Sequence, residues 1–155
     1  MRVVLAGAML CAVSWSALAQ TTRTWVGVSG DWNIGSNWSP AGVPGALDSV
    51  IITTGGATLN SDASVASMTL GGALIGTGKL TVSSSLVWTG GSMSGTGSTI
   101  VAPGATMTIE TGDVTLVAGR TLVNHGVASL SRAMNIWWPA TLENSADGTL
   151  VISTN

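Results

Sequence analysis

Short runs of alternating apolar and hydroxyl side chains fill the middle of the chain: SVII at Ser49, SMTL at Ser67, KLTV at Lys79, LVW at Leu86, TIV at Thr99, TMTIE at Thr106 and VTLV at Val114. β-Branched residues and Leu dominate them, and Gly, Ser and Asn punctuate the gaps. Side chains on a strand point alternately to its two faces, so such runs predict strands with one buried face. None has the length or the three-to-four spacing of an amphipathic helix. Helix is therefore expected only in the first nineteen residues.

The runs belong to a longer repeat. GGALIGTG begins at Gly71 and GGSMSGTG begins nineteen positions later at Gly90, with every glycine kept. Around them SMTL precedes the first copy as LVWT precedes the second, and KLTV follows as STIV does. GRTLVN at Gly119 and PATLEN at Pro139 share Thr-Leu-x-Asn at an offset of twenty. A constant offset has no cause in a β-sandwich. It has one in a solenoid, where each coil buries its apolar side only against the next, and coils of about twenty residues hold three short strands and three turns. Gly suits the corners because it reaches positive φ without steric cost, and Asn tolerates the same region. The expected fold is all-β, a parallel β-helix with about 19–20 residues per coil and five or six coils. Leu70, Leu80, Val82, Ile100, Ile109 and Leu122 are expected to point inward.

Three zones divide the chain. Residues 1–19 read as a signal peptide: a positive start at Arg2, an apolar stretch Val3 to Val13, and a small-x-small site at Ala17-Leu18-Ala19. Ser14 and Ser16 interrupt that stretch before it could span a bilayer, so no transmembrane segment is expected in the mature chain. Residues 20–47 form a Trp- and Gly-rich N-terminal cap segment, and residues 48–155 form the coils. The one cysteine, Cys11, lies in the segment to be removed, which excludes disulfides, thiolate metal sites and cysteine nucleophiles from the mature chain. Leu10 before it is too large for a lipoprotein site. Removal of Arg2 leaves four basic residues against seven acidic ones, so nucleic acid is not an expected partner. Charged residues make up 8% of the chain and hydrophobic ones 45%, which describes a folded β protein with a neutral, hydroxyl-rich exterior rather than a disordered one.

The stretch TWVGVSGDWNIGSNWSPAGVPGALDSVII carries Trp25, Gly27, Gly30, Asp31, Trp32, Asn37-Trp38, Pro44, Asp48, Val50 and Ile52. It resembles the opening of large secreted bacterial β-helix proteins of the autotransporter-passenger and filamentous-adhesin kind, and LVWTGGSMSGTGSTIVAPGATMTI resembles their coils. The resemblance spans about Thr24 to Asn155. It implies export to the cell surface or the extracellular space, with adhesion or display as the role and glycans or proteins as partners. Those large proteins end in a translocating barrel or a sorting tail, and nothing of that kind follows Asn155.

Candidate chemistry is sparse. IGTGK at Ile75 is not a phosphate loop, since a Walker loop needs Gly where Ala73 stands and Ser or Thr where Leu80 stands. GSMSG at Gly91 has Met93 where a nucleophile elbow needs Ser. His125 is the only histidine, and its Asn-His-Gly context reads as a turn. The acidic residues Asp31, Asp48, Asp62, Glu110, Asp113, Glu143 and Asp147 include no pair one coil apart, so catalysis is not expected. Asp31 and Asp48 read as turn anchors that accept backbone N–H groups. Within the repeats only Thr106-x-Thr108 fits a threonine ice-binding array. No catalytic residue, cofactor or metal is assigned. Trp25, Trp32 and Trp38 read as cover for the first coil, the alternative being a sugar-stacking platform. The leading expectation is an adhesion or display protein, and the alternative is a carbohydrate-binding or polysaccharide-degrading module acting through Trp88, Trp137 or Trp138. The end at GTLVISTN is expected to stay open and to support end-to-end self-association.

If the Ala17-Leu18-Ala19 site is used, intact-mass measurement on exported material will show a chain beginning at Gln20. A mass that retains Met1 would rule that out.

Overall fold

The structure is a computed structural model that describes residues 20–153; the expected signal peptide and Cys11 lie outside the described residues. The regular structure of the described chain is nearly all β, and its strands stack in three columns, the three faces of a parallel β-solenoid of about five turns. The first face holds the N-terminal halves of Ala63–Leu70 and Lys79–Trp88, then Ser98–Val101, Thr121–Asn124 and Thr141–Asn144. The second holds Thr22–Trp25, Ser49–Ile52, the C-terminal halves of the same two long strands, Thr106–Ile109, Val127–Leu130 and Thr149–Ile152. The third runs from Ser29–Asp31 through Gly56–Thr58, Ala73–Ile75, Ser92–Met93 and Val114–Leu116 to Met134–Ile136. All these pairings are parallel.

The repeated phrases sit one above the other. Ala73 lies beside Ser92 and Leu74 beside Met93, which is the offset of nineteen, and Thr121 to Asn124 lie beside Thr141 to Asn144, which is the offset of twenty. Elsewhere the coil length departs from 19–20. Gly56 meets Ala73 seventeen residues on, and Ser92 meets Thr115 twenty-three residues on. Strand length is set by the face that must be covered, whereas the exposed turns take up extra residues. SMTL accordingly stacks on SLVW and not on LVWT: Ser67 faces Ser85 and Leu70 faces Trp88. The second coil then spends one more residue, Thr89, in reaching its Gly-Gly corner.

Why the glycines recur is visible at that corner and the next. Gly91 has φ of +70°, and a Cβ there would strike the carbonyl oxygen of Gly72 in the coil before. Gly76 and Gly95, with φ of +118° and +88°, lie against each other in the same way, the Cβ of the second striking the carbonyl of the first. At these two corners the stacked backbones leave no room for a side chain, so the glycine recurs from one coil to the next.

Inside, the columns are mostly apolar. Leu70, Leu80, Val82, Ile109 and Leu122 are fully enclosed, as their place in the runs predicts. Ile100 is a correction. It lies beside Thr81, on the outward side of its strand, while Thr99 and Val101 lie beside the buried Leu80 and Val82 and are themselves buried. The pleat admits only alternate residues to the core, and stacking on Leu80 and Val82 selects the other pair. Thr99 is tolerated inside because its Oγ1 accepts hydrogen bonds from Arg120 Nη2 at 3.0 Å and Nε at 3.3 Å. Arg120 is wholly buried and also donates to the carbonyls of Ser98 at 2.9 Å and Gly76 at 3.3 Å. No carboxylate pairs with it, and loss of hydration lowers its pKa to about 10, so it stays charged at neutral pH. Gly97 makes room for it, since a Cβ there would lie 2.9 Å from Nη1.

Asn124 has an internal role too. It follows Val82 and Val101 in an inward column, its Nδ2 donating to Asn144 Oδ1 at 2.7 Å and its Oδ1 accepting from Gly126 N–H at 3.1 Å. Positive φ is not its purpose, since Ala118 is the non-glycine residue found there.

Segment 20–47 begins the stack. Its strands Thr22–Trp25 and Ser29–Asp31 carry the second and third faces one coil upward. The chain then loops back, and Trp38–Ser39 pairs antiparallel with Thr24 and Trp25. Trp25, Trp32 and Trp38 are buried, Trp38 lying edge-on to Trp32 at 4.8 Å and to Trp25 at 5.0 Å between ring centroids. Trp38 Nε1 donates to the Trp32 carbonyl at 2.8 Å. Asp48 gathers the loop base by accepting from Gly45 N–H at 2.9 Å, Thr21 N–H at 3.1 Å and Arg23 Nε at 2.9 Å. Burial alone would raise the Asp48 pKa, but these three donors outweigh it and hold the carboxyl below its ordinary range. Asp31 anchors its turn likewise, accepting from Asn33 N–H at 2.7 Å.

The register yields a paired test. Ile109→Asp places an unpaired charge in a closed column and is expected to abolish cooperative folding or cost more than about 4 kcal/mol, whereas Ile100→Asp, on the outer side, is expected to cost about 1 kcal/mol or less. Chemical denaturation of both variants checks the assignment. Equal losses would contradict it.

Candidate functional site

The tryptophans named for the carbohydrate alternative divide sharply. Trp88 is fully enclosed beneath Leu70 and donates Nε1 to the Gly90 carbonyl at 2.9 Å, so neither ring face is open to a sugar. Its inward place follows from the strand alternation that also buries Leu86. Trp137 and Trp138 are exposed, at 63% and 92%, on the corner that follows strand Met134–Ile136. Trp137 N–H donates to the Leu116 carbonyl at 2.9 Å and its own carbonyl accepts from Ala140 N–H at 2.9 Å. The corner backbone is thereby tied to the coil while both indoles face solvent. The structure does not bring Trp88 together with this pair.

Trp25, Trp32 and Trp38 offer no platform, because their faces are spent on one another and on the first coil.

The polar exterior is ordered by the same register. On the outer side of the second face Thr22, Ser49, Ser67, Ser85 and Thr106 stack directly, none of them buried. Parallel strands repeat about every 4.8 Å, so this is a straight ribbon of neutral hydroxyls at that spacing. Val127 interrupts it before Thr149. Thr108 stands beside Val87 and Ser129, so a second unbroken threonine file is not formed.

One polar cluster escaped the sequence reading. Asp147 Oδ1 lies 2.8 Å from His125 Nδ1, and Ser145 Oγ lies 3.5 Å from His125 Nε2. The hydrogen bond from His125 is the chief reason that Asp147 titrates below its ordinary range. The alignment of TLVNH on TLENS was the available signal: once Asn124 stacks on Asn144, His125 must stack on Ser145. The order carboxylate, imidazole, hydroxyl is that of a general-base relay. Its setting is different, with His125 and Asp147 on an open turn, outside the walls of the cavity described below, and the contacts act as a tie between two coils. Among the described residues no group of three His, Cys, Asp or Glu side chains is placed to hold a metal ion, and no helix is long and apolar enough to cross a membrane.

A cavity of about 560 Å³ opens at the last coil, lined chiefly by Leu130, Met134, Ile136, Leu142 and Ile152, with Asp113 and Arg132 supplying its charges. It is the interior of the solenoid where stacking stops. Comparison with protein-family models, curated proteins and solved structures returned no match.

The division between buried and exposed indoles has a direct test. Trp32→Ala is expected to cost roughly 3 kcal/mol or more, as for removal of any enclosed aromatic, while leaving surface or polysaccharide binding by the folded fraction unchanged. Loss of binding at unchanged stability would place a ligand at the N-terminal end instead.

Proposed function

We propose that this chain is an exported cell-surface or extracellular β-helix protein that acts in adhesion or surface display. The observation that carries the reading is the outer hydroxyl ribbon of Thr22, Ser49, Ser67, Ser85 and Thr106, held at strand spacing on a rigid stack. Neutral hydroxyls lose little on partial desolvation compared with charges, and a regular row of them can match a repeating partner such as a polysaccharide chain or a second protein's surface. The low proportion of charged residues, 8%, leaves the ribbon free of a strong field that would limit it to partners of one sign. The apolar start and the Ala17-Leu18-Ala19 site support export.

The exposed pair Trp137 and Trp138 favours a second reading, a carbohydrate-binding module, because indole faces stack on pyranose rings. The two readings part in one experiment. The purified chain is applied to polysaccharide-coated and protein-coated surfaces, and its tryptophan fluorescence is followed as soluble polysaccharide is added. For an adhesion ribbon, Ser67→Asp with Ser85→Asp is expected to weaken surface retention about tenfold, while Trp137→Ala with Trp138→Ala has little effect and no quenching occurs. Quenching that disappears with the tryptophan pair would transfer the function to the carbohydrate module. Retention unaffected by either pair would defeat both.

A further inference from the structure

Of the three faces, the second has an uncharged outer side. The first turns Lys79 and Glu143 outward, and the third turns Asp31 and Asn135 outward. Arg23, the charged residue on a strand of the second face, lies beside the buried Val50 and is held by Asp48 at 2.9 Å. Next to the hydroxyl ribbon, two residues further along each strand, runs another outward file: Thr24, Ile51, Thr69, Val87 and Thr108. Threonine alone does not make this file, but branching at Cβ does, since Thr, Val and Ile each set a methyl group on that carbon. In the next coil Val127 and Ser129 exchange the two roles, and Thr149 with Val151 restores them. The register shift between the two long strands falls between Val65 and Ser67, before the face begins, so both files run straight.

The hydroxyls of this face differ from those at the corners. Ser83 donates to the Val65 carbonyl at 3.3 Å, Thr89 to that of Leu70 at 3.1 Å and Ser131 to that of Ile109 at 3.3 Å, whereas the hydroxyls of Ser67, Ser85, Thr106, Thr69 and Thr108 have no hydrogen-bond partner among the described residues.

We propose that this face binds the surface of an ice crystal. An array that repeats in two directions is matched as a whole only by a partner that does the same. Neighbouring strands set one interval at about 4.8 Å, and two residues along a strand set the other at about 6.6 Å. Both lie close to the oxygen repeats on a prism face of hexagonal ice. A single polysaccharide chain repeats along one line and would engage one file, leaving the other without a role. A hydroxyl both donates and accepts hydrogen bonds, as water does, whereas a carboxylate only accepts and an ammonium only donates. Ions have no place in the ice lattice, and these two files carry none. The methyl file restricts the orientation of the water beside it, and the unpaired hydroxyls fix where that water sits. Water ordered at crystal-like intervals joins the growing lattice and holds the protein on it. Adhesion needs only the hydroxyl file, whereas ice binding needs both, so the two can fail separately.

The purified chain at millimolar concentration is expected to lower the freezing point below the melting point, to give faceted crystals in a nanolitre osmometer and to be enriched in slowly grown ice. Thr69→Lys with Thr108→Lys should abolish these effects while circular dichroism keeps the parent's sheet signal, and Thr115→Lys on the third face should leave them unchanged. If the lysine pair loses its sheet signal, Thr69→Ser with Thr108→Ser decides, because it keeps the hydroxyls and removes the methyls. Loss of ice enrichment in that variant supports the match, and full enrichment overturns it. Coincident freezing and melting points, rounded crystals and exclusion from ice would overturn the proposal, and surface retention under those circumstances would leave adhesion standing. Retention on crystalline cellulose that the lysine pair abolishes, with no effect on ice, would also overturn it and give the face to a crystalline polysaccharide.

Discussion

Everything in this molecule depends on the fact that one coil cannot bury its own apolar side. A single turn of about twenty residues exposes its inward Leu, Ile and Val to the space above and below. Only another coil at hydrogen-bonding distance removes that area from water, with a return of about 1.5–3 kcal/mol for each large side chain enclosed. The same distance governs the corners, where stacked backbones come too close for a Cβ. The glycines at 72, 76, 91 and 95 and the aliphatic columns at Leu74, Met93 and Leu116 are thus two consequences of one spacing. It also explains the tolerance for coils of seventeen to twenty-seven residues, because only strands and corners touch the neighbouring coil and the turns are free to lengthen.

A stack of this kind has a weak point wherever a polar group enters the interior, and two such groups are handled differently. Arg120 brings a charge into the core and disperses it over Thr99 Oγ1 and the carbonyls of Ser98 and Gly76, without a carboxylate. The amide of Asn124 bonds forward to Asn144 and to its own turn, replacing an aliphatic pair with a hydrogen-bonded one. In both cases the cost of dehydration is offset by several specific partners, and those partners lie in different coils. Each therefore fixes the register between coils as well as satisfying itself.

Functional chemistry is confined to the outside by this arrangement. A side chain that alternation turns inward is consumed by packing, as Trp88 is, and one that it turns outward is displayed at a fixed interval, as the hydroxyl ribbon is. The proposed adhesion or display role uses that second property. Turns are the remaining source of chemistry, and there the exposed indoles of Trp137 and Trp138 and the His125–Asp147 tie are placed by corner geometry alone.

The sequence by itself determined the class of fold, the Gly corners and the inward place of Leu70, Leu80, Val82, Ile109 and Leu122. Those features are periodic or local, and periodicity is written directly in residue types. Ile100 misled because hydrophobicity along one short run cannot distinguish the two sides of a strand; stacking on Leu80 and Val82 decided it. Trp88, named in the carbohydrate alternative, is turned inward by the same alternation. The partners of Arg120 and the meeting of His125 with Asp147 needed the tertiary structure, since the turns between them vary in length and the offsets follow no single period.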